Sequence, residues 1–83
     1  MELRFSKHAV DAIIERMIDR DWIERTIERP MRTHSDDDDP ELSHYLLKIP
    51  ENGNRVLRVV VNTTKTPYEV VTTFFDRRMK NKL

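Results

Sequence analysis

Arg58 stands inside the run RVLRVVV (55–61), with Val56 and Leu57 before it and three valines after it. A guanidinium fixed among apolar neighbours offers several donors in one plane, the form of cation best suited to offsetting charge on a bound phosphate. His8 adds a group that moves a proton near neutral pH, and Tyr45 a ring that can stack a base or assist that transfer. Arg16 and the tail RRMKNKL (77–83), with Arg77, Arg78 and Lys80, can hold a polyanionic backbone. These residue types suffice for metal-free phosphoryl chemistry, in which a nucleophile is held in line, one proton is accepted, another is donated and charge is offset.

Each candidate has a structural counterpart. His8 falls in the first turn of a helix pattern and could simply cover the helix start. Arg16 follows Asp11, Ala12 and Glu15 on a polar face and suits a surface ion pair. Arg58 has its own alternative in a pair with an Asp or Glu within the sheet. His34 and His44 read as strand residues or strand margins. The segment HSDDDD (34–39) carries donors for a hard or borderline cation, but adjacent aspartates converge only through a turn and no calcium-loop glycine is present, so no metal is assigned.

Composition bounds the rest. The 83 residues carry no cysteine, one glycine and 15 basic against 15 acidic side chains, so disulfide frameworks and thiolate metal sites are excluded and one small domain over residues 1–83 is expected. The balance is uneven along the chain. Five of the acids lie in DDDDPE (36–41), read as a solvated loop with no part in folding, and without them 15 basic residues face 10 acidic ones. No apolar run approaches the length of a membrane span and MELRFSKHAV lacks a signal-peptide pattern, so a cytoplasmic protein without a membrane partner is expected. No phosphate-cradling glycine loop, G-x-S-x-G or zinc spacing occurs, and no cofactor is expected.

The elements that must position these residues follow from period and punctuation. LRF (3–5) is a short strand candidate. Ser6 then caps a helix over 7–19, with Val10, Ile13, Ile14, Met17 and Ile18 at helical spacing. A second helix starts at Asp19 or Asp21, places Trp22, Ile23 and Ile27 on one face and stops before Pro30. Three β runs follow at 42–49, 55–62 and 68–75, and MRTHS (31–35) offers a fourth, edge strand. Asn52-Gly53 predicts a two-residue type I′ hairpin. That turn sets Arg58 opposite Leu47 and Val60 opposite Tyr45, with Tyr45, Leu47, Val56, Arg58 and Val60 on an open face and His44, Leu46, Leu57, Val59 and Val61 under the helices. Setting Asn62 against Tyr68 brings Thr72 beside Arg58, and Thr72 joins the candidate catalytic set.

The segment FSKHAVDAIIERMIDRDWIERTIERP (5–30), followed by a sheet with an arginine inside a strand, resembles the small bacterial toxins of the RelE and BrnT type. More closely, His8-Ala9, Arg16, Ile23-Glu24 and Pro30 resemble the pattern of a bacterial domain-of-unknown-function family. The resemblance implies an α+β fold with two N-terminal helices on one face of a curled three- to four-stranded antiparallel sheet. It also implies an endoribonuclease of a toxin-antitoxin system, whose partners would be an RNA and an antitoxin protein. In such an enzyme the catalytic set would be His8, Arg58, Tyr45 and Thr72, and Arg16, Arg77, Arg78 and Lys80 would bind substrate. The alternative is a non-catalytic protein-binding module on the same fold, reached by strand addition at a sheet edge.

Overall fold

Ser6 sits in extended backbone and its hydroxyl accepts the Ala9 amide proton at 3.0 Å, satisfying one of the donors that a helix start leaves open. The same hydroxyl donates to the Val71 carbonyl at 2.8 Å, so the cap also fastens the helix to the last strand. These contacts belong to a computed structural model that describes residues 1–83. The first helix, α1 (Lys7–Glu15), ends four residues short of the expected boundary because Met17 turns into the left-handed region at φ 53°. Its apolar spacing is therefore divided. Ile13 and Ile18 reach the core, whereas Val10, Ile14 and Met17 stay exposed.

Asp19 caps the second helix, α2 (Arg20–Glu28), by accepting the Asp21 amide proton at 2.8 Å. Ile23 and Ile27 are buried on its inner face, and Thr26 is buried between them with its hydroxyl donating to the Trp22 carbonyl at 2.7 Å. Trp22 meets Phe75 edge to face at 6.1 Å between ring centres.

The sheet differs from the expected one. It has five strands, β1 (Leu3–Phe5), β2 (Arg32–Ser35), β3 (Leu42–Ile49), β4 (Arg55–Asn62) and β5 (Tyr68–Phe75), in the order β1-β5-β4-β3-β2. It is mixed, because β1 runs parallel to β5 with Leu3 beside Tyr68 and Phe5 beside Val70. The three- to four-stranded antiparallel sheet is thus replaced by a larger one, although the class remains α+β. Three residues are too few to show a two-residue period, and a partner some 65 positions away leaves no local signal.

The β3–β4 connection is also wider than expected. Pro50–Asn52 form a 3-10 turn, Gly53 and Asn54 both take positive φ (65° and 59°), and the Asn54 amide donates to the Ile49 carbonyl at 3.0 Å. Ile49 pairs with Arg55, so the closing turn is not the two-residue one. Arg58 consequently stands opposite Leu46, one position from its expected partner Leu47. Because side chains alternate, that single step exchanges the faces of β3. Tyr45 and Leu47 pack with Leu57, Val59 and Val61 in the core beneath the helices. His44 and Leu46 turn to the face that carries Arg58. On the other side of β4, Phe74 pairs with Arg58, and Thr72 is displaced to Val60 beside an irregularity between Val60 and Val61. No helix is long and apolar enough to cross a membrane.

Candidate functional site

On the face away from the helices Arg58 is almost fully enclosed, at 7% exposure. A charge in that position requires partners, and three side chains gather around it. Its Nε donates to Asp76 Oδ2 at 2.9 Å, and its Nη1 donates to His34 Nε2 at 2.8 Å and His44 Nδ1 at 2.9 Å. A guanidinium cannot accept, so the ring nitrogen facing it in each histidine is unprotonated. The protons then lie on the far nitrogens: His34 Nδ1 donates to the Ser35 carbonyl at 2.9 Å, and His44 Nε2 donates to Asp36 Oδ1 at 2.6 Å. Both imidazoles are neutral in this arrangement, and the rings stack with centres 4.7 Å apart and planes 19° from parallel.

Each member is delivered by a definite piece of backbone. His34 and His44 are direct partners in the β2–β3 ladder. Asp36 begins the acidic connection between these strands, where its carboxylate also accepts the Asp38 and Asp39 amide protons at 3.1 and 3.0 Å. The hydrogen bond from His44, reinforced by those amides, holds the Asp36 carboxyl below the usual carboxylate range. The first aspartate of the run is therefore part of the site, in contrast to the expected loop without a structural role. Asp76 follows β5, its amide donating to the Val56 carbonyl at 2.8 Å. Arg78 closes on Asp76 with two side-chain bonds of 3.0 Å, and these, more than the bond from Arg58, hold the buried Asp76 carboxyl at about 2.

The network opens into a cleft of about 380 Å³ whose walls include His34, His44, Arg58, Asp76, Arg78 and Lys82. Arg58 Nη2 makes no hydrogen bond within the protein and is not sealed from solvent, so one donor edge of the guanidinium remains available to a ligand in the cleft. A larger cavity of about 710 Å³ adjoins at Asp76.

The expected catalytic residues do not all converge. Thr72 shares the Arg58 face but sits beside Val60. Tyr45 lies on the helix side, where burial, and then the neighbouring Tyr68, push its hydroxyl pKa up. His8 is exposed on α1 and Arg16 is exposed at its end, both away from the cleft. Of the expected substrate-binding residues, Arg78 lines the cleft, and Arg77 and Lys80 line the adjoining cavity. The residues that sequence reasoning passed over are His34, Asp36, His44 and Asp76. One signal for the histidines was present: a hairpin closed around the aspartates sets His34 against His44.

A family model described as Domain of unknown function (DUF4258) matches residues 5–75. The chain belongs to that family. The DUF4258 span includes His34, Asp36, His44 and Arg58 and stops one residue before Asp76, so the carboxylate that neutralises the buried guanidinium lies outside it. Within the DUF4258 span, Ala9 and Ile23 of the helical pattern are fully buried and serve packing. No curated protein and no solved structure matches the chain.

Proposed function

We propose that the chain is a metal-independent endoribonuclease of the toxin-antitoxin type, with His34 and His44 as its proton-transfer pair and Arg58 as its phosphate-binding cation. The observation that carries this reading is the convergence of two neutral imidazole nitrogens on Nη1 of one buried guanidinium at the wall of an open cleft. The resemblance of residues 5–30, followed by a sheet with an arginine inside a strand, to the RelE and BrnT toxins is what suggests RNA as the substrate.

In this mechanism a scissile phosphate enters against Arg58 Nη2 and draws Nη1 toward its oxygens. His34 Nε2 and His44 Nδ1 lose their common donor and are released side by side. Once released, one ring takes up a proton from solvent; the neutral ring then takes the proton of the 2′-hydroxyl as its oxygen attacks phosphorus, and the protonated ring gives its proton to the departing 5′-oxygen as the phosphorus–oxygen bond breaks. The products are a 2′,3′-cyclic phosphate and a 5′-hydroxyl. Asp36 fixes the tautomer of His44 and offsets the charge that ring carries, the role of an orienting carboxylate. Arg58 stabilises the charge that grows on the phosphate.

The test is cleavage of single-stranded RNA in the presence of a chelator. Wild-type protein is expected to release cyclic-phosphate ends, and His34→Ala and His44→Ala each to lose about 10²-fold or more. Absence of cleavage on every RNA tried, or full activity in the double variant, overturns the proposal.

A second reading has its own observation. Arg58 is paired with an acid, as expected of a non-catalytic binding module, and β2 is exposed along its whole length at a sheet edge. A partner strand adding there would bind through backbone hydrogen bonds. Under that reading the histidine variants would leave partner binding intact and no RNA would be cut.

A further inference from the structure

The charge of the cleft does not explain how a polyanion would reach it. Arg58, Arg78 and Lys82 are matched there by Asp36, Asp37 and Asp76. The adjoining cavity is different. Lys48, Arg55, Arg77 and Lys80 line it against one carboxylate, Asp76, which Arg58 and Arg78 already occupy. None of these four cations lies within ion-pair distance of any carboxylate, whereas Arg25, Arg58 and Arg78 all do. Four unpaired cations around one hollow repel one another, and a bound anion relieves that repulsion.

The cavity also has a platform. The Arg55 guanidinium is held over the Phe75 ring, 4.6 Å from its centre, and Phe75 is braced on Trp22. A guanidinium steadied in this way can take a nucleobase on its plane, a contact open to single strands because their bases are unstacked.

We infer that the 710 Å³ cavity is the subsite for the nucleotides flanking the scissile bond of a single-stranded RNA, with phosphates on Lys48, Arg77 and Lys80 and a base on Arg55. The inference rests on the ribonuclease reading for the identity of the strand. Asp76 lines both hollows, so the strand passes over it from the basic cavity into the balanced cleft. Asp36 and Asp37 at the cleft wall repel a continuing backbone on their side. The substrate thus extends mainly one way from the cut.

The experiment compares binding of a fluorescent 2′-O-methyl hexanucleotide, which lacks the attacking hydroxyl, with that of a dinucleotide across a salt series. The wild-type chain is expected to prefer the hexanucleotide by about tenfold or more, with affinity falling steeply in salt. The variant Lys48→Gln/Arg77→Gln/Lys80→Gln should lose that preference, and its log–log salt slope should flatten by about 2, the change for three lost single-strand phosphate contacts. Arg55→Lys, which keeps the charge, should weaken the hexanucleotide but not an abasic hexamer. Circular dichroism of each variant establishes that it is folded. An unchanged length preference and salt slope in the triple variant overturns the inference, as does a duplex bound as tightly as the single strand. Equal loss on the abasic strand overturns the base contact at Arg55. If no RNA is cut yet the triple variant abolishes hexanucleotide binding, the ribonuclease reading falls and the cavity stands as a single-strand binding site without a scissile bond. If RNA is cut with no dependence on the three cations, the subsite falls and the ribonuclease stands.

Discussion

His34 faces His44 directly across the β2–β3 ladder, and the two stacked rings share a single proton donor, Nη1 of Arg58. The pairing holds only while both facing nitrogens are free of protons, because a protonated ring would set one donor against another. Arg58 therefore reports on both histidines, and both depend on Asp76 to keep the guanidinium in place.

Arg58→Ala is expected to lower stability by about 3 kcal/mol, as when one member of a buried ion pair is removed. Asp76 would keep only Arg78, whose side chain is largely exposed. Chemical denaturation checks the value. Arg58→Met with Asp76→Leu should recover much of the loss, since an apolar pair of similar volume strands no charge. Loss of activity in Arg58→Ala alone consequently needs a fold control, whereas His34→Ala and His44→Ala leave the ion pair intact.

Acid stability follows from Asp76. Its carboxyl titrates at about 2 in the fold against 3.8 ordinarily, so the native state favours the ionised form. A depressed carboxylate contributes stability that is fully present above its unfolded pKa and is lost as pH falls through the folded one. The thermal midpoint should fall from near pH 4 down to about pH 2. Glu51 is likewise held at about 2 and acts in the same window, and Asp36 is shifted in the same direction. In Asp76→Asn the slope should be shallower, and an identical slope would remove Asp76 from the account.

Asp36→Asn and Asp37→Asn should part company. Asp36 accepts from His44 and from two backbone amides, whereas Asp37 makes no such side-chain bond. Nitrogen-15 spectra of the imidazoles should show His44 held in the Nε2–H tautomer in wild type and in Asp37→Asn, and a tautomer mixture in Asp36→Asn. A fixed tautomer in all three would mean that Arg58 alone orients the ring.

Gly53→Ala should cost about 1 kcal/mol through its positive φ alone. A Cβ at that position meets nothing within 4 Å, so no clash contributes. Gly53→Asn should cost less, because Asn tolerates the left-handed region. Equal losses for the two, measured by thermal unfolding, would point to a contact instead.

The helices were legible because their starts are written locally: Ser6 and Asp19 act as caps within three residues of themselves. Arg58 was legible as an anomaly, a cation inside an apolar strand, and its outward face follows from alternation. Its surroundings were not legible. Asn52-Gly53 carries the strongest two-residue turn signal, but Pro50 at the start of a 3-10 turn widened the connection and moved β3 by one step. That step decided whether Tyr45 or His44 would face the guanidinium. Asp76 was hidden differently, falling between the strand read over 68–75 and the basic tail read over 77–83, when its backbone still pairs with Val56. Local residue chemistry named the central group, and long-range register chose its partners.

The parallel pairing of β1 with β5 bears on the order in which the chain can assemble as it is made. Strand β1 has no ladder partner until Tyr68 to Val70, some 65 positions later, have been synthesised. The β2–β3 and β3–β4 pairs can close earlier, over shorter loops. An incomplete chain could thus align His34, His44 and Arg58 while Asp76 is still missing, leaving the guanidinium without its carboxylate. Asp76 and Arg78, which follow β5, neutralise and clamp it, so a ribosome-bound fragment that stops short of them would carry the ingredients of the site without its final geometry.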